Sequence, residues 1–123
     1  MATENLGKCI SLTAGADLSS SQYCFVEFNT SGQAVAAGDG EDAIGILQND
    51  PTSGQAALVM VGPGISKLRA GAATAAGDYI GCDSTGRGVT AATADRRLGQ
   101  FIEAAGAAND WVSVLFQKLG ATA

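Results

Sequence analysis

Histidine is absent from this 123-residue chain, and that absence shapes the chemistry it could perform. Without an imidazole there is no commonest general base, no usual triad or dyad, and no histidine metal ligand. Cys9, Cys24 and Cys82 are odd in number, widely spaced and free of any C-x-x-C pairing. They therefore read as reduced thiols, buried as small hydrophobes, and not as a disulfide framework or a zinc site. Asp17, Asp78 and Asp83 each stand beside a turn, where an Asp commonly accepts from nearby backbone N–H groups, and no pairing of carboxylates for acid and base work is legible. Asp39, Glu41 and Asp42 in "AAGDGED" crowd hard oxygen ligands together but lack the ligand spacing of a calcium hand, so the stretch reads as a solvated acidic loop. "VGPGISK", from Val61 to Lys67, approaches a phosphate loop, yet Ser66 stands where a Gly must precede the Lys. Lys67 is better read as a strand residue. Arg87, Arg96 and Arg97, with Lys67 and Arg69 upstream, form a basic set that would suit an acidic partner surface or simply be solvated. No catalytic, cofactor-binding or metal-binding residue is assigned, and an enzyme is the weakest of the function classes.

The elements that would carry these residues follow from a pattern written twice. "NTSGQAV" and "DSTGRGV" place Gly32 and Gly86, and Val35 and Val89, at the same separation. Upstream, "CISLTAGA" lies against "ISKLRAGA", matching Leu12 with Leu68 and the Ala-Gly-Ala that ends each stretch. Val26 then lies opposite Ile80 and Phe28 opposite Cys82. Downstream, "DAIGIL" faces "RRLGQF", putting Gly45 on Gly99, and "AALVMV" faces "DWVSVLF". The chain reads as a single domain, residues 1–123, built of two similar units, about 8–61 and 64–116, joined across residues 62–64. Gly32 is expected to overlay Gly86, and Gly45 to overlay Gly99.

Each unit spells strands separated by Gly, Asn and Asp turns, which predicts a mainly β fold, barrel-like or sandwich-like, with at most short helical turns at 72–78 and 92–101. Asn29 and Asp83 can cap their own turns, while Gly32 and Gly86 accept positive φ at little steric cost. Gly45 and Gly99, inside apolar strands, mark a bulge, a bend or the close approach of another backbone. Period-two alternation points Val26 and Phe28 inward with Glu27 outward, and Ile80 and Cys82 inward in the second unit. In the last strand Val112, Val114 and Phe116 share one face and Trp111, Ser113 and Leu115 the other, so both faces carry apolar groups. "MATEN" and "LGATA" fall outside the repeat and are the candidates for disordered arms.

The formal charge of −5, from 12 acids and 7 cations, would repel phosphate backbones, so nucleic acid is not an expected partner. No apolar run approaches a membrane span and "MATENLGKC" lacks the features of a secretory signal, which predicts synthesis in the cytoplasm and no membrane contact.

In their order and spacing, "SLTAGADLSSSQYCFVEF", "AGDGEDAIGILQND", "RAGAATAAGDYIGCDSTGRGVTAA" and "LGQFIEAAGAANDWVSVLF" resemble the capsid cement, or head decoration, proteins of tailed bacteriophages. The resemblance runs from about Ile10 to Phe116. It implies a β-rich virion protein on the capsid exterior, a dimer or trimer there, that clamps neighbouring major capsid proteins against internal DNA pressure. It carries no catalytic motif to transfer. A rival reading is a small acidic β-module binding a carbohydrate or other small ligand, which would need an aromatic platform drawn from Trp111, Tyr23 and Tyr79. Trp111 could equally anchor a partner or fill the core of its own domain. With neither a Gly-Lys-Ser/Thr loop nor a histidine base, purified protein is expected to hydrolyse no ATP above background. Activity that survives repurification and disappears in Lys67→Ala would contradict this.

Overall fold

Short runs of β-branched, aromatic and small residues between Gly, Asn, Asp and Ser turns leave no stretch on which a helix could nucleate. The computed structural model describes residues 8–39, 43–92 and 96–121, and among them every regular element is a strand. The first half holds β1 (Cys9–Thr13), β2 (Phe25–Phe28), β3 (Ala34–Ala36), β4 (Gly45–Leu47) and β5 (Ala56–Met60). The second holds β6 (Gly64–Arg69), β7 (Ile80–Cys82), β8 (Gly88–Thr90), β9 (Arg96–Phe101) and β10 (Trp111–Ala121).

The first five strands form one antiparallel sheet in the order β1-β5-β4-β2-β3. It curls until its edges touch: Ala14, just past β1, bridges Ala34 of β3, and the Gly15 N–H donates to the Ala34 carbonyl at 2.8 Å. The second five form the sheets β6-β10-β9 and β7-β8, linked through the bridge between Tyr79 and Gln100. There Ala70, just past β6, bridges Gly88 of β8, and the Gly71 N–H donates to the Gly88 carbonyl at 2.7 Å. Among the described residues neither set closes into a barrel, and the curled sheets pack in the manner of a sandwich.

Turn chemistry acts as its residue types dictate. Asn29 Oδ1 accepts from the N–H groups of Ser31 and Gln33, both at 2.9 Å, and Asp83 Oδ1 accepts from those of Thr85 at 2.9 Å and Arg87 at 2.8 Å. Gly32 and Gly86 close the two turns at φ of 75° and 84°. Their surroundings differ. A Cβ on Gly32 would meet nothing within 4 Å, whereas one on Gly86 would lie 2.7 Å from the Phe25 carbonyl oxygen. The Phe25 N–H donates to the Gly86 carbonyl at 2.6 Å, so the second-half turn is docked on the first-half strand β2.

That docking organises the core. Adjacent residues of β2 point to opposite sides, as strand geometry requires. Phe25, with Ile46 and Met60, enters a cluster completed by Leu68, Ile80, Leu98, Phe101, Val114 and Phe116 of the second half. Val26, with Leu47 and Val59, enters a second cluster with Ala14, Leu18, Ala34 and Ala57, all from the first half.

Several local expectations are corrected. Phe28 does not point into the core with Val26 but is 51% exposed, because β4 pairs with β2 only at Phe25 and Val26 and leaves the strand end uncovered. Its counterpart Cys82 is buried, because the turn that follows it is the one docked on Phe25. No helical turn forms at 72–78, where Thr74 bridges Ala105, and from Arg96 onward the second proposed helical turn is β9, whose backbone pairs along β10. Residues 93–95 and the "MATEN" segment lie outside the described residues. Part of "LGATA" is strand, since Gly120 and Ala121 pair with Arg97 and Arg96. Gly45 and Gly99 are sites of close backbone approach: a Cβ there would run into the carbonyls of Met60 and Leu115 respectively, and the β9–β10 register shifts between Phe116 and Gly120.

The unequal settings of the two turns generate an expected difference. Gly32→Ala should cost about 1 kcal/mol, the ordinary penalty for an L side chain at positive φ. Gly86→Ala should cost about 3 kcal/mol or more, because the added methyl meets backbone that cannot move aside. Urea unfolding of the two variants checks this, and equal losses would contradict the docking.

Candidate functional site

Residues directly opposite in an antiparallel ladder project to the same side. Along β10, Trp111 lies opposite Arg69, Ser113 opposite Lys67, and Leu115 opposite both Ile65 and Gln100. The alternate residues Val112, Val114 and Phe116 are buried against the core, so the Trp111 side is the outer face of the β6-β10-β9 sheet. Ile102 joins this face through its N–H donated to the Ser113 carbonyl at 3.0 Å, and Tyr79 joins it by bridging Gln100. Five large apolar side chains are exposed among the described residues, and Trp111, Ile102 and Tyr79 are three of them. Clustering of that kind marks an interaction surface, where scattered apolar groups would not.

Aromatic and cationic groups interleave on the face. The Tyr23 and Trp111 rings meet edge-to-face with centroids 5.2 Å apart. Arg69 lies 5.5 Å over the Trp111 ring, Lys67 5.5 Å over Tyr23, and Arg97 5.1 Å over Tyr79. Tyr23 is held in place at a conformational cost, because its φ is 62°, a left-handed value unusual for a residue with a side chain. Two backbone bonds maintain it: its N–H donates to Leu47 at 2.7 Å and its carbonyl accepts from Arg69 at 2.8 Å. The first half thus supplies a ring to a face built by the second.

The basic set read from the sequence is divided by the fold. Lys67 is a β6 strand residue, as expected, and with Arg69 and Arg97 it lies on this face. Arg87 points elsewhere, paired with Asp83 at 2.9 Å and donating to Asn109 Oδ1 at 3.1 Å, and Arg96 is exposed at the start of β9. Asp17, Asp78 and Asp83 serve their turns, accepting from the N–H groups of Ser19, Ala75 and Thr85. Among the described residues no cluster of acids and cysteines has the shape of a metal site, while Glu41 and Asp42 lie outside them. Cys24 and Cys82 are buried free thiols. Burial, as the largest cause, pushes the Cys24 thiol up to about 11 and Cys82 higher still, and Cys82 Sγ–H donates to the Asp83 carbonyl at 3.3 Å. No pocket opens among the described residues, and no helix there is long and apolar enough to cross a membrane. Sequence reasoning grouped Trp111 and Tyr23 with Tyr79 as rings for a ligand platform and placed Lys67 and Arg69 in a separate basic set, without joining the two groups. Their convergence could not be read from spacing, because Tyr23 arrives through a contact between the two halves.

Among the described residues an all-β fold presents aromatic and cationic side chains together on one sheet face. The family model for phage cement proteins matches residues 7–116, and the chain belongs to that family of virion structural proteins. A comparison with curated proteins found no match. Among solved structures, the head fiber gp8.5 N base of bacteriophage phi29 shares the fold, with 19% identity, a TM-score of 0.73, and coverage of 91% of this chain and 98% of that one.

The two buried thiols should resist alkylation of the native protein at pH 8, where their thiolates are scarce, and react only after unfolding. Mass spectrometry of the labelled protein reads this out. Because folding raises the Cys24 pKa from 9.0 to about 11, its contribution to stability is full below about pH 9 and is lost as the pH climbs towards 11. The melting temperature should fall across that window, and less steeply in Cys24→Ala.

Proposed function

We propose that the protein binds the outer surface of a phage capsid through the outer face of β6-β10-β9 and stabilises contacts between major capsid proteins. Membership of the phage cement family supports the virion setting. The observation that carries the role of this face is the exposed Trp111, cross-braced by the half-buried Tyr23 and Arg69, with no pocket among the described residues. Clamping a shell requires a wide contact with a few aromatic and Arg anchors and needs no catalytic group. In this reading the protein acts on the capsid exterior, as a dimer or trimer. The chain would be one domain of two similar units, 8–61 and 64–116. The equal strand orders of the two halves, the matched turns at Asn29 and Asp83, and a core cluster shared across both support that organisation.

The carbohydrate reading gains from the contact between Trp111 and Tyr23, which supplies adjacent rings. It loses because the rings are inclined at 72° and Arg69 lies over the indole, leaving no open coplanar platform for a sugar.

Trp111 is 45% exposed, so its truncation opens no core cavity. Trp111→Ala should leave the free protein within about 1 kcal/mol of wild-type stability. It should weaken binding to expanded, empty heads of the source phage by about 30-fold, the scale of a hot-spot residue, and return their thermal rupture towards that of undecorated heads. If folded wild-type protein neither binds heads at saturation nor raises their rupture temperature, the capsid reading fails.

A further inference from the structure

Arg69 and Arg97 both lie over an aromatic ring and both bury an Nε without an acceptor, and of the two Arg69 is the one beside the exposed Trp111. The Arg69 guanidinium lies over the Trp111 ring at 5.5 Å, and Nη1 donates a long hydrogen bond to the Ser20 carbonyl at 3.4 Å. Arg87, by contrast, is satisfied by a carboxylate of its own chain, Asp83. In a chain with 12 acids and 7 cations a local carboxylate would have been easy to supply, yet no described acid pairs with Arg69. A guanidinium holds its N–H donors in one plane, in a fork that matches the two oxygens of a carboxylate.

We infer that the surface covered by this face presents an Asp or Glu carboxylate to Arg69, so that the partner is an acidic patch on the capsid shell. This deepens the capsid-binding reading and rests on it. Charge complementarity is the argument. The protein carries −5 overall, but Arg69 stands on this face with no described carboxylate of its own chain paired to it, and Glu103, whose Oε1 accepts from the Ser113 N–H at 2.7 Å, does not supply one. Two copies meeting face to face would bring like faces, each carrying Arg69, against one another, which disfavours a symmetric self-contact here. A nucleic acid would meet Arg69 on a protein of net charge −5, which repels its phosphates. A carboxylate docking beside the indole would be shielded from water by Trp111 and Tyr23, which strengthens a charge-assisted hydrogen bond.

The test measures binding of full-length wild type, Arg69→Gln and Arg69→Lys to empty expanded heads, before and after the head carboxylates are amidated with carbodiimide and ethanolamine. On untreated heads Arg69→Gln should bind about 30-fold or more weakly than wild type, the loss expected when one partner of a covered charge pair is removed. Arg69→Lys should recover only part of the loss, since an ammonium has no planar fork. Amidation should weaken wild type to a similar extent and add little to the loss in Arg69→Gln. Urea unfolding serves as the folding control, and the amidation arm with wild type alone keeps the test decisive if Arg69→Gln is unstable. Wild-type affinity in a folded Arg69→Gln protein, or an amidation loss equal in both proteins, overturns the inference while capsid binding stands. So does self-association of the free protein, or binding to a thymidine oligonucleotide, that Arg69→Gln abolishes. Failure of wild type to bind untreated heads removes the capsid reading itself, and this inference with it.

Discussion

The first sheet has to bury both of its faces, and the rest of the architecture follows from how it does so. Strand geometry sends Phe25, Ile46 and Met60 to one side and Val26, Leu47 and Val59 to the other. The Val26 side is closed from within, by Leu18 and Ala14 on the segment that follows β1. The Phe25 side has no such cover in its own half and would expose a large apolar patch if it stood alone. The second half provides the cover, and the hydrogen bond from the Phe25 N–H to Gly86 fixes the turn that seals it. Removing Phe25 from water is worth about 2–3 kcal/mol, more than any surface ion pair on the molecule could supply.

Once the inner faces are committed in this way, the outer face of β6-β10-β9 is left partly open, with Trp111 exposed and Ser113 beneath its neighbours. Its composition departs from that of an ordinary solvated sheet, where polar and charged residues would alternate with the core. Trp111 and Ile102 are exposed, and Tyr23 is bent over the sheet in a strained backbone conformation held from both halves. Strain persists only where the surroundings impose it. Here the same inter-half contact that seals the core also delivers the ring, so folding and the readiness of the face are coupled.

The charge distribution separates this face from the remainder of the surface. An acidic protein repels both its own copies and phosphate backbones at long range. Lys67, Arg69 and Arg97 each lie beside an aromatic ring on this face, the arrangement that the proposed acidic partner would meet. Asp83 and Arg87 illustrate the opposite arrangement, a pair satisfied within one turn and contributing geometry alone.

The strands and turns were legible in the sequence because their causes are local. Asn29 and Asp83 bond backbone groups a few residues away, Gly32 and Gly86 take the φ that their turns require, and the alternation in Val112, Val114 and Phe116 survives as a buried face. The absence of a histidine base and of a phosphate loop is likewise a property of composition and spacing, and the likeness to cement proteins is carried by the order of motifs. What the sequence could not determine was which equivalent positions would be covered. Phe28 and Cys82 occupy matching strand ends, yet one is exposed and the other buried, because only the second turn docks on the opposite half. The helical turns expected at 72–78 and from 92 gave way to bridges and to β9 because β10 required a paired edge. Tyr23, Lys67, Arg69 and Trp111 became one site only when two half-chains met, a contact between residues distant in sequence that no local propensity encodes.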